Sequence, residues 1–359
     1  MPLVAHTSLP TFDHLKDQGD QVLSLNQALL QNHDKLHIGL LNLMPDGAFK
    51  ATERQFMRLV GSSHQTIQSY IYPFTIPDPQ RHPEIQSYID DYYLRFRDIQ
   101  EAGLDALIIT GTNPANPRLE EEPFWQPLLR IVDWATQEVT SVLCSCLAVH
   151  AIAKHLHDID RQPLKEKRWG IYPHRIIQPD HPLMKNLRAP FDVPHSRNND
   201  VSQAQLEAAG FEVLSSSQTS GVHMAVSSDR FRIIYLQGHP EYDDISLLKE
   251  YKREVEHYVI GERESYPNYP ENYFSPQAQQ ILEVHYTSII DALEKGTVPP
   301  LFPEDGITPL VGNTWRDAGR SIFHNWLGLI HELTGGDRHL PFTAGVNPND
   351  PLESRPEHP

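Results

Sequence analysis

The sequence predicts an α/β fold: a parallel sheet with helices on both faces and helical decoration toward the C-terminal end. Three observations carry that reading. Short apolar runs alternate with helix-periodic segments through the first half of the chain, as in successive βαβ units. The 359 residues allow one large domain or two ordinary ones, and no sharp linker divides them. The composition, 39% hydrophobic and 21% charged, is globular and sufficient to bury a sizeable core.

Taken in order, residues 1–20 read as a flexible N-terminal arm. LHIGLLNL (36–43) is an apolar run bounded by turn residues and reads as a buried strand. ATERQFMRLVG (51–61) follows as a helix, with Thr52 and Gln55 spaced for a capping box. TIQSYIYPF (66–74) is strand-like, PEIQSYIDDYYLRFRDI (83–99) helical and LDALIITG (104–111) the next strand. FWQPLLRIVDWATQ (124–137) is a helix, VTSVLCS (139–145) a strand and LAVHAIAKHLH (147–157) a helix. Trp125, Trp134, Tyr92 and Tyr93 read as core. RWGIYPHRII (168–177), FEVLSS (211–216), GVHMAVSS (221–228) and FRIIYLQG (231–238) are β-like. Helices follow over 243–261, 276–296 and 316–334. The organisation expected is a single α/β domain over 21–337 with a helical insertion at 276–296. Residues 338–359, rich in Pro, Asn and charge, read as a disordered tail.

Charge and cysteine usage narrow the partners. Thirty Lys and Arg stand against 47 Asp and Glu, a net charge of −17, which disfavours nucleic acid and anionic membranes and leaves small molecules. The two cysteines, Cys144 and Cys146, have a single residue between them on one strand, where they would not bridge each other easily, so a disulfide scaffold is excluded. A reducing compartment follows from that usage. No run of about 18 apolar residues occurs, and Met1–Asp20 lacks a basic-then-apolar leader pattern. The expected location is the cytoplasm.

Two constellations carry chemistry. Cys146 stands where a buried strand turns into a helix, flanked two residues away by the small Cys144 and Ala148. That is the setting of a nucleophile elbow. A helix N-terminus lowers a thiol pKa and offers N–H groups to an oxyanion. The bland alternative is a buried structural cysteine. In LQGHPEYDD (236–244), His239 and Glu241 lie two residues apart in a backbone that Pro240 keeps extended, so both face one way. A histidine oriented by a carboxylate is the base half of a Cys–His–Glu triad. A charged surface turn is the alternative. His150, His155 and His157 lack the spacing that stacks ligands on one helix face, and no Walker sequence or GxGxxG occurs. No metal site is expected.

A series of strings in order adds a resemblance. They are LLNLMP (40–45), TERQF (52–56), ALIITG (106–111), the Cys146 elbow, PHSR (194–197), GHPEYD (238–243), ENYF (271–274) and WR…NW (315–326). Together they resemble the homoserine O-succinyltransferase / O-acetyltransferase family of methionine biosynthesis, within the class I glutamine amidotransferase-like superfamily. The resemblance implies a flavodoxin-like parallel sheet with a C-terminal helical extension. It implies that Cys146 takes the acyl group from acyl-CoA as a thioester, that His239 is the general base and that Glu241 orients it. Lys167 and Ser196 match substrate-binding positions. Arg253 matches the arginine that holds the amino-acid carboxylate. Ala115, four residues past Gly111, matches the position linked to donor choice, where a small side chain goes with succinyl-CoA and a glutamate with acetyl-CoA. No metal or redox cofactor is implied; acyl-CoA is a co-substrate. A homodimer is implied as well.

The sequence also departs from that pattern. After LNLMP, the segment DGAFKATE is about two residues longer than the family loop and lacks its lysine, which leaves Lys50 or backbone N–H groups alone to serve the oxyanion site there. The 276–296 segment and the tail are additions. Homoserine O-acetyltransfer, serine O-acyltransfer and glutamine amidotransferase-like hydrolysis stay open at this point, as does a non-catalytic binding role. One methylene of the acceptor is worth only about 1–3 kcal/mol of discrimination.

Overall fold

The computed structural model describes residues 2–31, 33–64 and 66–353. The apolar runs become the strands β1 (Leu3–Ala5), β2 (Val22–Ser24), β3 (Lys35–Leu41), β4 (Gln68–Phe74), β5 (Ala106–Ile109) and β6 (Ser141–Ser145). They are followed by β7 (Gln162–Ile176), β8 (Phe191–Asp200), β9 (Glu212–Ser217), β10 (Gly221–Val226) and β11 (Ile233–Leu236). All eleven join one sheet in the order β2-β1-β4-β3-β5-β6-β11-β10-β9-β7-β8. The first seven in that order run parallel. The last four pair antiparallel, so the sheet is mixed where the sequence pattern predicts a parallel one. β9, β10 and β11 follow one another through short connections, which can join antiparallel neighbours but are too short for a parallel crossover.

The helices are α1 (Pro10–Asp17), α2 (Leu25–Leu30), α3 (Asp46–Ser63), α4 (Pro83–Tyr92), α5 (Phe96–Ala102) and α6 (Trp125–Glu138). They continue with α7 (Leu147–His157), α8 (Gln203–Ala208), α9 (Ser246–Val259), α10 (Pro276–Lys295), α11 (Glu304–Ile307) and α12 (Arg316–Leu333). Strand alternation splits the core into two layers. Ala106 and Ile108 of β5 face a layer with Phe12, Phe56, Phe323 and Trp326, from α1, α3 and α12. Leu107 and Ile109 face Leu128, Val132 and Ile152, from α6 and α7. A third cluster joins α9 and α10 around Trp169, Tyr251, Phe274, Leu282 and Trp315, so the 276–296 segment is a packed helix against α9.

Four expectations need correction. The 1–20 arm is built into the fold: β1 pairs with β2 and β4, and Leu3, Leu9, Phe12 and Leu15 are buried. Its sparse apolar residues sit where a strand edge and one helix face need them. Phe12→Ala is therefore expected to cost about 3–5 kcal/mol, read as a lowered urea midpoint; a loose arm would leave the midpoint unchanged. The tail docks in part: Thr343 N–H donates to the Leu333 carbonyl at 2.8 Å, Thr140 Oγ1 donates to the Pro341 carbonyl and Leu352 is buried. Residues 354–359 lie outside the described residues.

Thr52 and Gln55 do not cap a helix. α3 starts at Asp46, both side chains are buried within it, and Gln55 Nε2 donates to Ser246 Oγ at 2.8 Å. The S/T-x-x-E/Q pattern fits a helix interior as well as a start; here Pro45 sets the start. The predicted 83–99 helix breaks at Tyr93, which is extended so that Leu94 N–H reaches the Pro73 carbonyl at 2.9 Å and the Tyr93 hydroxyl reaches Glu53 at 2.6 Å. Trp125, Trp134 and Tyr93 are buried, and Tyr92 is half-buried.

Candidate active site

The strand–helix junction after β6 forms a sharp turn. Cys146 has φ 52° and ψ −111°, a conformation that costs a non-glycine residue energy and persists only where its surroundings impose it. Its N–H donates to the Leu236 carbonyl at 2.8 Å, extending the β6–β11 pairing by one residue and fixing the turn. The side chain is partly exposed, at the N-cap of α7. The first N–H groups of that helix, from Leu147 and Ala148, have no acceptor within the helix and are free to serve an oxyanion. Gly111, just past β5, comes close: a Cβ there would stand 3.3 Å from Cys146 Cβ. Cys144, two residues earlier, is fully buried, and burial pushes its thiol well up, as suits a core residue.

β11 runs parallel to β6 and delivers Gly238–Glu241 beside the elbow. His239 is buried, and its N–H donates to the Pro194 carbonyl at 2.8 Å. Its Nδ1 lies 2.7 Å from Glu241 Oε1. That contact makes Nδ1 the protonated donor and turns Nε2 toward the thiol. Nε2 meets no partner with full hydrogen-bond geometry, although the Cys146 sulfur is the charge it feels most after Glu241. Such a loose contact is usual for a catalytic base before substrate arrives. Burial alone would lower the His239 pKa. The charges of Glu241 and Cys146 override burial and hold it well above the ordinary value. The three predicted catalytic residues are thus brought together.

Two predicted substrate residues converge on a residue the sequence did not flag. Glu250, on α9, accepts from Ser196 Oγ at 2.6 Å, from the Tyr242 hydroxyl at 2.7 Å and from Lys167 Nζ at 3.3 Å. Burial would raise its carboxyl; Lys167 and the two hydroxyl donors outweigh that and hold it below the usual carboxylate value. Tyr242 also stacks on His239, ring centroids 4.3 Å apart and planes 19° apart, so this cluster adjoins the base. Lys167 lies over the Trp169 ring at 4.2 Å.

The other two predicted positions stand apart. Arg253, three residues beyond Glu250 on α9, is half-exposed and makes a loose 3.5 Å ion pair with Glu254. Ala115 is exposed on the loop leaving β5. That loop is pinned by Arg161, which donates to the Asn116 carbonyl at 3.1 Å and the Pro117 carbonyl at 2.9 Å. The DGAFKATE segment is a helix start rather than a loop. Lys50 pairs with Glu84 at 3.1 Å and lies over the Tyr88 ring, so it is engaged away from Cys146. The helix histidines each have other partners: His150 meets Gln237 Oε1 at 3.3 Å, His155 meets Asp133 at 2.6 Å, and His157 packs on Phe211.

No local pattern gives Tyr242 or Glu250 a role. Tyr242 follows the GHPE string, but its stacking depends on a turn. Glu250 looks like an ordinary helix charge until β7 and β8 bring Lys167 and Ser196 to it.

Comparison with known proteins matches residues 2–335 to the family described as homoserine O-succinyltransferase. Similar proteins include a homoserine O-succinyltransferase of Thiothrix nivea, 52% identical over 355 residues and 99% of each chain. Another, from Nitrosococcus oceani, is 50% identical over 355 residues and again 99% of each chain. Among solved structures, a glutamine amidotransferase from Thermotoga maritima is 12% identical, with 84% of this chain and 100% of that one covered and a TM-score of 0.39. The chain belongs to the homoserine O-succinyltransferase family.

Proposed function

We propose that the protein transfers a succinyl group from succinyl-CoA to the hydroxyl of L-homoserine through an acyl-cysteine. The observation that carries this reading is the strained Cys146 elbow facing the His239–Glu241 pair. The relatives' names support the donor and the acceptor.

The charge balance of the site orders the steps. In the proposed scheme the Cys146 thiol gives its proton to His239, whose protonated form the charges of Glu241 and Cys146 favour. The thiolate attacks the thioester carbon, and the oxyanion forms against the α7 amides. As the C–S bond to CoA breaks, His239 gives its proton to the departing thiolate. Acylation also removes the negative charge at Cys146, so the His239 pKa falls and the neutral imidazole is ready as a base. It takes the proton of the homoserine hydroxyl as that oxygen attacks the acyl-Cys146 carbonyl. Collapse releases O-succinyl-L-homoserine and restores the thiolate–imidazolium pair. The side chains and acyl-CoA suffice for this chemistry, with no resident cofactor in the scheme.

In this reading Lys167, Ser196 and Glu250 line the acceptor site. Glu250 supplies a carboxylate for the ammonium group, and Arg253, on the same helix, takes the carboxylate in a bidentate grip. Arg253→Met is expected to raise KM for homoserine about 10- to 100-fold while leaving KM for acyl-CoA near wild type; steady-state kinetics with each substrate varied checks this. Ala115 leaves room for the succinyl carboxylate. Ala115→Glu would set two carboxylates together and is expected to shift donor preference toward acetyl-CoA about 10-fold or more. The competing-donor ratio is the measurement. A homodimer in the cytoplasm completes the proposal; the free cysteines and the CoA donor are in keeping with that compartment.

CoA release from succinyl-CoA or acetyl-CoA, with homoserine or serine, tests the whole reading. Fastest turnover with succinyl-CoA and homoserine supports it. Turnover with serine alone overturns the acceptor assignment, and no release with any pair overturns the acyltransferase reading.

A further inference from the structure

Behind the catalytic loop lies a buried polar group that the acyl-transfer steps do not use. Residues along β8 alternate in direction. Ser196 reaches toward α9 and Glu250, whereas Val193 and His195 press on Gly238. A Cβ at position 238 would stand 2.5 Å from Val193 Cγ1 and 2.8 Å from His195 Cε1. Only glycine permits that approach, so the His195 ring backs directly onto the peptide that carries His239.

The ring is fixed along both edges. The Arg197 guanidinium donates to His195 Nδ1, which places the His195 proton on Nε2. That N–H points at His174 Nε2, 3.2 Å away, and His174 Nδ1–H donates to the Tyr172 carbonyl at 2.9 Å. Ser220 Oγ adds a second donor to His174 Nε2 at 3.1 Å. One set of tautomers satisfies these contacts, with both rings neutral. Arg197 is anchored in turn: its other terminal nitrogen donates to Asp200 Oδ1 at 3.0 Å and to the Ser220 carbonyl, and Arg168 holds the second Asp200 oxygen at 3.1 Å. His223 stands edge-on to His174 and His195 at 5.5 and 6.1 Å, and the Tyr172 and Phe191 rings pack on His195 and His174 at 5.8 and 6.1 Å. Burial first, then the charges of Arg197 and His239, keep His195 from taking a second proton near neutrality.

We propose that Arg197 is a positioning residue for the catalytic base: through His195 it fixes the Gly238–His239 backbone and so the line along which His239 Nε2 meets Cys146. The proposal rests on the acyl-cysteine reading. Its geometry demands the guanidinium fork, because His195, Asp200 and the Ser220 carbonyl are held at once. A lysine would keep the buried charge near Cys146 and lose the fork. His195→Phe would keep a ring against Gly238 and lose the acceptor.

The test compares full-length Arg197→Lys and His195→Phe with the wild type. Both variants are expected to lose about 10- to 100-fold in kcat, with KM for acyl-CoA changed by less than about twofold. Both should also displace the pH profile of Cys146 alkylation by iodoacetamide, because the thiolate–imidazolium pair is misaligned. Wild-type kcat and alkylation profile in folded Arg197→Lys would overturn the proposal. So would a lower kcat with an unmoved alkylation profile. If the variants fail to fold, imidazole ¹⁵N NMR of the wild type decides. His195 protonated on Nε2 and His174 on Nδ1 supports the relay; a proton on His195 Nδ1 refutes it. Turnover retained in Cys146→Ala would instead refute the parent reading, so the two failures are distinct.

Discussion

Cys146→Ala is expected to abolish acyl transfer, by roughly 10⁴- to 10⁶-fold, while the chain stays folded. The side chain removed is small and partly exposed, and the backbone turn that positions it is held by the Leu236 carbonyl rather than by the sulfur. The thermal midpoint should therefore hold while turnover disappears. Two measurements check the prediction. CoA release with homoserine reads turnover, and intact mass after mixing with succinyl-CoA alone reads the acyl-enzyme. The wild type should gain the mass of one succinyl group, and the variant should gain none. Turnover in the variant above a trace would exclude an acyl-cysteine and return Cys146 to the ranks of structural cysteines. The strained φ of the elbow would then need another cause.

The second large effect concerns Glu241. Glu241→Gln is expected to lower kcat by roughly 10²- to 10⁴-fold with little change in acyl-CoA KM. Two consequences follow from the 2.7 Å contact to His239 Nδ1. An amide can present its NH₂ to Nδ1 and favour the wrong tautomer. The substitution also removes one of the two charges that outweigh burial and hold the proton on His239. The His239 pKa should fall, so rapid alkylation of Cys146 should set in at higher pH than in the wild type. Stability follows the same linkage. A histidine whose folded-state pKa is raised contributes stability in full below its unfolded value, about 6.5, and loses it as pH rises through the raised folded value. The stability gap between wild type and Glu241→Gln should thus be widest at mildly acidic pH and close at alkaline pH. A constant gap across that range would mean that the carboxylate acts on His239 by packing alone.

Local patterns account for how much of this was legible in the sequence. The β3 and β5 runs and the α7 helix read correctly because burial on both faces demands unbroken apolar residues and helix periodicity is local. The elbow and the Gly-His-Pro-Glu string read correctly because each is defined within a few residues. β8 went unread: PHSRNND is polar, and its pairing with β7 gives it a strand's geometry. The break at Tyr93 also went unread, since Leu94 leaves the helix for a bond to Pro73 on β4. In the N-terminal arm, sequence spacing alone gave too weak a signal for a strand of three residues.

The sequence by itself determined the strand–helix alternation from β3 to α7, the residue types at the elbow and the His239–Glu241 pair, because covalent neighbours and short-range sterics set these. The tertiary structure alone decided that β11 lies beside β6, which brings His239 to Cys146 across 93 residues of chain. It alone made Glu250 the centre of the Lys167–Ser196–Tyr242 cluster and set His195 and Arg197 behind the Gly238–Glu241 segment. Those pairings join β7, β8, β11 and α9, which are remote in sequence. Their energies depend on burial and on the exclusion of water, which no short stretch of residues specifies.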